Sequence, residues 1–439
     1  MAEEQKVLNR WLVVAGAILI QLCLGAIYAW SVFTNKLTIP LGQGGEYGFS
    51  ATQTAWVFSV GLATFAVVMV WAGRQQAKVG PRPLAVAGGI VLGLGYVLAG
   101  FLGSSFISQF ICIGVIGGAG IGLAYVVPIA VGVKWFPDKK GMITGLAVAG
   151  FGFGATLWVK LAGSWFGGLL NTCDGLMGLP GVQAVFLIYG VVFAVCVLLG
   201  SIVMVNPPDG WLPKGYTPPE AATGAAGTVD LETGEMLRTP QFYTLFLMFT
   251  GSALAGLMVI YCIRLFGIDA LQTSGAAADA TAAGAIAGTA MAWYAILNGL
   301  GRIVWGTISD KLGRKASLFL MCALQGVMML VFYKVGHYSL GLIIGACVIG
   351  FNFGGNFALF PAATADFFGN KNVGKNYGWV FLAYGVAGIA GPQIAGLFKD
   401  AAKGGDVSAW LTPFIIAGVA CLVAAVLALT LKPATHKSA

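Results

Sequence analysis

Apolar residues in this chain run in long stretches, and polar residues are confined to the breaks between them. A bilayer core about 30 Å thick is crossed by about 20 apolar residues of helix. Twelve stretches reach that length, which predicts helices near 11–33, 52–73, 83–104, 107–133, 142–166, 182–205, 242–264, 284–307, 315–335, 339–364, 375–398 and 408–431. An even number of crossings puts both termini on one side of a membrane. The longest polar break falls midway along the chain and holds Pro207, Pro208, Pro213, Pro218 and Pro219, followed by Ala, Gly and Thr. It reads as a linker. The predicted organisation is therefore an N-terminal six-helix bundle over 1–205, a cytoplasmic linker over 206–240 and a C-terminal six-helix bundle over 241–439.

Composition agrees with that pattern. Of 439 residues 58% are hydrophobic and only 9% charged, and mean hydropathy is +0.87. Soluble domains carry about 25% charge, so soluble domains, and a soluble enzyme on a single anchor, are both excluded. The eight cysteines show no CxxC or metal-type spacing and lie mostly inside apolar runs, as small buried hydrophobes do. No cleavable signal peptide is expected, because Leu12 to Ile20 continues into a full-length span without a small-residue cleavage pattern.

The formal charge of +8 could suggest nucleic acid, but its placement decides otherwise. Loops on the side of the termini carry Lys6, Arg10, Arg74, Lys78, Arg82, Lys134, Lys139, Lys140, Lys214, Arg238, Lys311, Arg314, Lys315, Lys371, Lys375, Lys432 and Lys437, whereas the opposite loops hold Lys36, Arg264, Lys334, Lys399 and Lys403. By the positive-inside rule both termini are cytoplasmic, and no nucleic-acid partner is needed.

The two halves repeat. A shift of 233 positions places Tyr28 on Tyr261, Phe33 on Phe266, Gly73 on Gly306, Lys78 on Lys311, Gly80 on Gly313, Arg82 on Lys315, Gly122 on Gly355, Pro128 on Pro361, Gly141 on Gly374, Gly145 on Gly378 and Gly152 on Gly385. One constant offset across five helices indicates an internal duplication. Parallel six-helix repeats imply a binding site between the halves near the bilayer midplane and alternating access by rocking one half on the other.

At this point the residues resemble a family. Gly306-Thr-Ile-Ser-Asp310-Lys311-Leu-Gly313-Arg314-Lys315 is similar to the loop signature of the major facilitator superfamily, and the first-half copy departs from it, with Ala77 where the family has aspartate. The resemblance implies an all-α membrane fold of two pseudo-symmetric six-helix bundles, in which this loop helps hold the inward gate closed. Candidate gating residues are thus Gly73, Arg82, Asp310, Lys311, Gly313 and Arg314. Asp310 beside Arg314 and Lys315 can form a charge cluster whose partners change between two packings, or it can be a solvated turn.

Within that superfamily the chain resembles the oxalate/formate antiporter family, which includes bacterial pyruvate and lactate carriers. The resemblance spans nearly the whole chain and is most specific at Gly25-Ala-Ile-Tyr28-Ala-Trp30-Ser-Val-Phe33, Trp135-Phe136-Pro137-Asp138-Lys139-Lys140-Gly141, Gly234-Glu-Met-Leu-Arg-Thr-Pro-Gln-Phe242, Phe351-Asn352-Phe353-Gly354-Gly355 and Lys375-Asn376-Tyr377-Gly378. It implies a bacterial cytoplasmic (inner) membrane location.

Two charged residues fall inside predicted spans, Lys160 in the fifth and Arg302 in the eighth, with no Asp or Glu well inside any span. An uncompensated cation there costs about 2.5–3.5 kcal/mol on insertion scales, so each needs water, a partner or an anion. A bound anion is the natural partner, which favours an anionic substrate. Asn298, Arg302 and Gly306 share a helix face, and a guanidinium can bind a carboxylate through two parallel hydrogen bonds. The competing reading is that Arg302 snorkels to headgroups. In the family an arginine at this matching position contacts the substrate carboxylate. Lys160 sits toward the outer half of its helix and can snorkel outward, contact substrate or take part in coupling. The family's oxalate exchanger has a lysine in the eleventh span where this chain has Tyr384, so a dianion held by two cations becomes a monoanion held by one cation and hydroxyl donors. Tyr384, Tyr28, Tyr125 and Tyr261 can each donate an O–H while walling a small cavity, or they can be packing tyrosines. Asn352 and Asn356, one turn apart, can bond substrate or a neighbouring helix.

Gly117-Gly-Ala-Gly120-Ile-Gly122 and Gly150-Phe-Gly152-Phe-Gly154 invite a nucleotide-loop reading, but both lie within apolar helices and are expected to serve close packing. No cofactor or metal is expected. Membrane carboxylates are absent and the two histidines are His337 and His436, so carriers for proton coupling are few; exchange of carboxylates needs none, and both modes stay open. The expected partners are small organic carboxylate anions, with protons and membrane lipid. A transporter-like sensor signalling through the linker is a remote alternative, since that segment holds no partner motif. A membrane enzyme lacks a catalytic constellation.

Overall fold

Inside hydrocarbon the backbone has no water to bond, so a chain this apolar crosses as helices or as a closed barrel. No strand occurs among the described residues. The computed structural model describes residues 8–136, 140–208, 211–213, 230–369, 372–402 and 406–431. Among them twelve helical spans are long and apolar enough to cross a bilayer: α1 (Arg10–Thr38), α2 (Ala51–Gln76), α3 (Pro81–Leu102), α4 (Phe106–Gly132), α5 (Gly145–Gly163), α6 (Gly181–Ser201), α7 (Pro240–Thr273), α8 (Ala280–Leu312), α9 (Arg314–Val335), α10 (Ser339–Phe368), α11 (Lys375–Ala401) and α12 (Val407–Thr430). The expected twelve spans are present. Lys6, Lys139, Lys214, Lys371, Lys403, Lys432, Lys437 and His436 lie outside the described residues, as do Pro137 and Asp138 of the aromatic-proline motif and most of the linker.

Several spans, the seventh most of all, are longer than their hydropathy predicts, and this corrects one reading. The seventh helix runs on to Thr273, so Arg264 lies inside α7 and not in a loop. Leu265, Phe266, Ile268 and Leu271 continue the buried face past the arginine, and a chain break comes only at Gly275, whose φ of 71° is left-handed. Lys36, Lys334 and Lys399 are likewise helical, near the ends of α1, α9 and α11.

The duplication is visible in backbone geometry. The turns joining α2 to α3 and α8 to α9 place Gly80 at φ 85°, ψ 167° and Gly313 at φ 83°, ψ 157°, a region open to glycine and costly to residues with a Cβ. We refer to this as the basic end, since Lys78, Arg82, Lys311 and Arg314 gather there, and to the opposite end as the far end. Regular helix gives way to a 3-10 segment, Gly25–Ala29, within α1 and to a π-helical segment, Phe110–Gly117, within α4, and α12 opens on a 3-10 turn, Val407–Trp410.

Without a hydrophobic drive between helices in lipid, close backbone approach and interhelical hydrogen bonds hold the bundle. The first six spans meet the last six mainly where α2 runs along α11 and α5 along α8. At Gly388 a Cβ would stand 2.7 Å from Leu62 Cβ. The glycine-rich stretches do the same work: Gly120 faces the Leu92 backbone and Gly154 the Leu22 backbone. Polar side chains bond backbone on neighbouring helices, as from Tyr294 Oη to Gly256 O at 3.1 Å and from Gln325 Nε2 to Ser252 O at 3.0 Å.

Gly388→Leu should pry α11 from α2 and lower stability by about 1–3 kcal/mol, the usual cost of overpacking. Gly145→Ala, whose Cβ would meet Ile303 at an ordinary 3.6 Å, should leave the melting temperature of the solubilised protein unchanged; equal melting of both variants would contradict this interface.

Candidate functional site

Helix periodicity puts Asn298 and Arg302 one turn apart on α8, on the face turned to α5 and α10. Arg302 is 2% exposed. Its Nε donates to Asn298 Oδ1 at 3.0 Å and its Nη1 donates across the interface to Val148 O on α5 at 2.9 Å. Nη2 is buried with no partner. The guanidinium carbon lies 4.1 Å from the ring centre of Phe357 on α10 and 5.9 Å from that of Phe151 on α5. Ring faces stabilise a desolvated cation by about 2 kcal/mol, which does not replace a counterion. Arg302 therefore stays inside the bundle and does not reach for headgroups.

Two predicted tyrosines close over it. Tyr28 lies in the 3-10 segment of α1, and its hydroxyl is 2.8 Å from that of Tyr384 on α11, a bond between the first and last six spans. Tyr28 and Tyr125 both pack edge-on against Phe151, with centroids 4.9 and 5.5 Å away, the ring that Arg302 faces. Phe65 on α2 packs edge-on to Tyr125 and Tyr384, with centroids 5.0 and 5.9 Å away, and Phe381 lies 5.0 Å from Tyr384. The result is a buried, closely packed cluster of aromatic rings, hydroxyls and one cation, called the chamber below, built by α1, α2, α4, α5, α8, α10 and α11.

Other predicted residues lie elsewhere. Tyr261, the repeat mate of Tyr28, donates to Ala51 O at the far end and is 3.1 Å from Thr54 Oγ1. Lys160 donates to Thr289 Oγ1 on α8 at 2.9 Å, also toward the far end. On α10, Phe353 and Phe357 face the chamber. Asn356 turns away and accepts from Ser252 on α7 at 2.8 Å. Asn352 donates to Val348 O of its own helix at 2.8 Å, leaving a buried Oδ1 without a partner.

At the basic end the structure joins Asp310 and Arg314 and adds Asp366. Arg314 Nη1 is 2.8 Å from Asp310 Oδ1 and its Nε is 2.8 Å from Asp366 Oδ2. All three belong to the last six spans. Lys311 and Gly73 are exposed, Gly313 forms the turn, and Arg82 donates to Ile202 O within the first six. Closure between the bundles at this end is made by helix packing, such as a Gly378 Cβ position 3.6 Å from Val70 Cγ2.

The far end is closed by a polar contact that the sequence reading missed. Asp400, near the end of α11, accepts from the backbone N–H groups of Ala51 and Thr52 at 2.8 Å each. A carboxylate at a helix N-terminus meets unpaired donors and the positive end of the helix dipole. Ser50 caps the same helix locally, so nothing in the nearby sequence signals a second cap from a residue 349 positions away. Phe151 and Phe357, which flank Arg302, were indistinguishable from lipid-facing rings for the same reason.

Comparison with known proteins settles the family. The profile of the Major Facilitator Superfamily matches residues 21–288 and 275–439. The chain belongs to the Major Facilitator Superfamily. Similar members include the MFS-type transporter YhjX of Escherichia coli, 30% identical over 393 residues, covering 87% of this chain and 86% of that one. The oxalate:formate antiporter of Oxalobacter formigenes is 27% identical over 97% of this chain and 92% of its own, and apicoplast pyruvate carrier 1 of Toxoplasma gondii 26% identical over 85% and 81%. Among solved structures the nucleoside transporter NupG superposes with a TM-score of 0.67 at 12% identity, over 96% of this chain and 99% of that chain; this likeness concerns the fold alone. The chain is a multi-pass membrane protein of a transporter superfamily.

A Major Facilitator Superfamily carrier closed at both ends must break the Asp400 contact to open the far end. Asp400→Ala removes a cap worth about 0.5–2 kcal/mol. Distances between spin labels at the far ends of α2 and α11 should shift toward the longer population, and an unchanged distribution would count against this latch.

Proposed function

We propose that this transporter carries small carboxylate anions, foremost monocarboxylates of the lactate, pyruvate or formate type, by alternating access. The observation that carries this reading is Arg302: a buried guanidinium between the bundles with an unpartnered Nη2 and no carboxylate bonded to it among the described residues. A carboxylate can take the free Nη2 donor, with the Tyr28, Tyr125 and Tyr384 hydroxyls as further donors. Relatives named an oxalate:formate antiporter and a pyruvate carrier support the same substrate class.

One cation favours a monoanion. Tyr384 stands where the resembling oxalate exchanger has lysine, and Lys160 is engaged with Thr289 and not with Arg302. Transport runs by rocking the bundle 1–205 against 241–439 about the linker 206–240, with Asp310, Lys311, Gly313, Arg314, Gly73 and Arg82 shaping the basic-end gate. We place the protein in the bacterial cytoplasmic membrane with the basic end and both termini cytoplasmic, on the strength of the charge asymmetry. Symport with a proton and exchange of anions are both open to this site, since an exchanged carboxylate needs no titrating side chain.

Uptake of labelled lactate, pyruvate, formate and oxalate into proteoliposomes, with and without internal substrate or a pH gradient, tests the reading. A monocarboxylate should accumulate, and Arg302→Lys, which loses the planar fork, should lower kcat/KM about 100-fold or more. Stimulation by internal substrate marks exchange and stimulation by a pH gradient marks symport. Movement of none of the four would sink the carboxylate reading. Tyr384→Lys should raise the ratio of oxalate to lactate uptake about tenfold by supplying the second cation; an unchanged ratio would remove Tyr384 from the determinants of charge preference.

A further inference from the structure

Two further cations meet the far end of the same helix, α8. Arg264, inside α7, has a buried Nε with no hydrogen-bond partner. Its guanidinium rests against the glycine face of α8 and the end of α5: Nη2 is 3.1 Å from where a Gly284 Cβ would stand, and Nη1 is 3.5 Å and 3.7 Å from those of Gly288 and Gly163. Lys160, one turn before Gly163 on α5, reaches the next residue of α8, Thr289, at 2.9 Å. Arg264 and Lys160 thus converge from α7 and α5 on the stretch Gly284–Thr289.

No carboxylate is bonded to either cation among the described residues. The nearby acids are committed: Asp269 to Lys399 and Trp410, Asp279 to Ala282 N–H, and Asp400 to the start of α2. Two partly desolvated cations that share a wall raise one another's cost, and an anion between them is stabilised by both. The position also has a direction. Thirteen residues of α8 separate Thr289 from Arg302, about 20 Å of helix, so one helix carries an anion-receptive surface from the far end to the central chamber.

We propose that Arg264, Lys160 and Thr289 form a second, far-end site for a small carboxylate, occupied on the way to or from Arg302. This rests on the anion-transport reading above. Gly284 admits the guanidinium where a Cβ would press to 3.1 Å from Nη2, and Thr289 orients the lysine ammonium along the path. The site offers two separated cations and a hydroxyl, without the aromatic enclosure of the central chamber. It therefore suits a loosely held, still hydrated carboxylate, and its effect is to raise the local anion concentration.

The test uses a thiol placed at the site in the full-length protein. Gly288→Cys puts a Cβ at ordinary contact distance from Arg264 Nη1. In proteoliposomes of neutral phosphatidylcholine, with Cys173→Ser removing the loop cysteine, the ratio of modification rates by a sulfonate-bearing over a trimethylammonium-bearing methanethiosulfonate should exceed that of a free thiol about tenfold. Sodium lactate or sodium oxalate should slow the anionic reagent, also in an Arg302→Ala background where the central site is lost. Arg264→Gln with Lys160→Gln should abolish both effects, while Arg264→Lys should retain the rate ratio. A ratio unaffected by the double substitution overturns the proposal. Protection that disappears when phosphatidylglycerol is added also overturns it, by assigning the cations to lipid headgroups. Since this readout needs no transport, a failure of carboxylate uptake in the wild type would show separately as a failure of the functional reading.

Discussion

Arg302 is a guanidinium removed from water and given too little negative charge to compensate. Asn298 and the Val148 carbonyl accept two of its donors, and Phe357 and Phe151 offer their faces. Dipoles and ring quadrupoles reduce the desolvation cost of a buried ion but do not cancel it. The remaining deficit is what a carboxylate can relieve. Because the partners come from both bundles, with Val148 and Phe151 on α5 and Asn298 and Phe357 on α8 and α10, relieving it also bears on how the bundles sit against one another. A ligand shifts such an equilibrium only by its difference in affinity between the packings, and a charge site shared across the interface provides that difference.

The two ends of the interface are closed by different physics. At the far end, Asp400 and Tyr261 reach from the last six spans to the backbone at the start of α2. Those bonds are directional and break over a short displacement. At the basic end the ion pairs of Arg314 stay within the last six spans, and the bundles meet through small residues along α2 and α11. Packing of that kind is undirected and rests on close backbone approach along the length of α2 and α11.

Much of this was legible in the sequence. Span count, repeat and family followed from run length and one constant offset, since hydrocarbon thickness and backbone satisfaction leave few alternatives. Arg302, Asn298, Tyr28 and Tyr125, which the structure brings together, were legible because polar groups inside an apolar run stand out, and Tyr384 because the resembling oxalate exchanger has lysine there. What stayed hidden was of two kinds. Arg264 was lost to a boundary: hydropathy averages fall at an arginine, although the apolar face resumes at Leu265. Asp400, Asp366, Phe151 and Phe357 were hidden by tertiary distance, because a carboxylate near a helix end or a phenylalanine in a span looks the same whether it faces lipid, loop or ligand. Tyr261 shows the converse, a repeat mate of Tyr28 whose hydroxyl serves the far-end closure and not the chamber.

That divergence between repeat mates extends through the site. At the offset of 233, Arg302 corresponds to Met69, Asn298 to Phe65 and Tyr384 to Phe151. The glycine turns at 80 and 313 kept their geometry while these three positions parted, polar in the last six spans and apolar, as Met69, Phe65 and Phe151, in the first six. A symmetric pair of cations would suit a dianion lying across the pseudo-twofold axis. On the proposed function, a single cation off that axis would instead hold one charged end of its ligand at Arg302 on the last six spans, among rings from both halves. The same asymmetry reaches Lys160, whose mate is Gln393: the lysine bonds Thr289 on α8, and the glutamine stands 3.5 Å from Ser59 on α2. Both repeats keep a polar bridge between bundles at this level, but only one of them is charged, which is why the proposed far-end site lies along α5, α7 and α8 and not their counterparts.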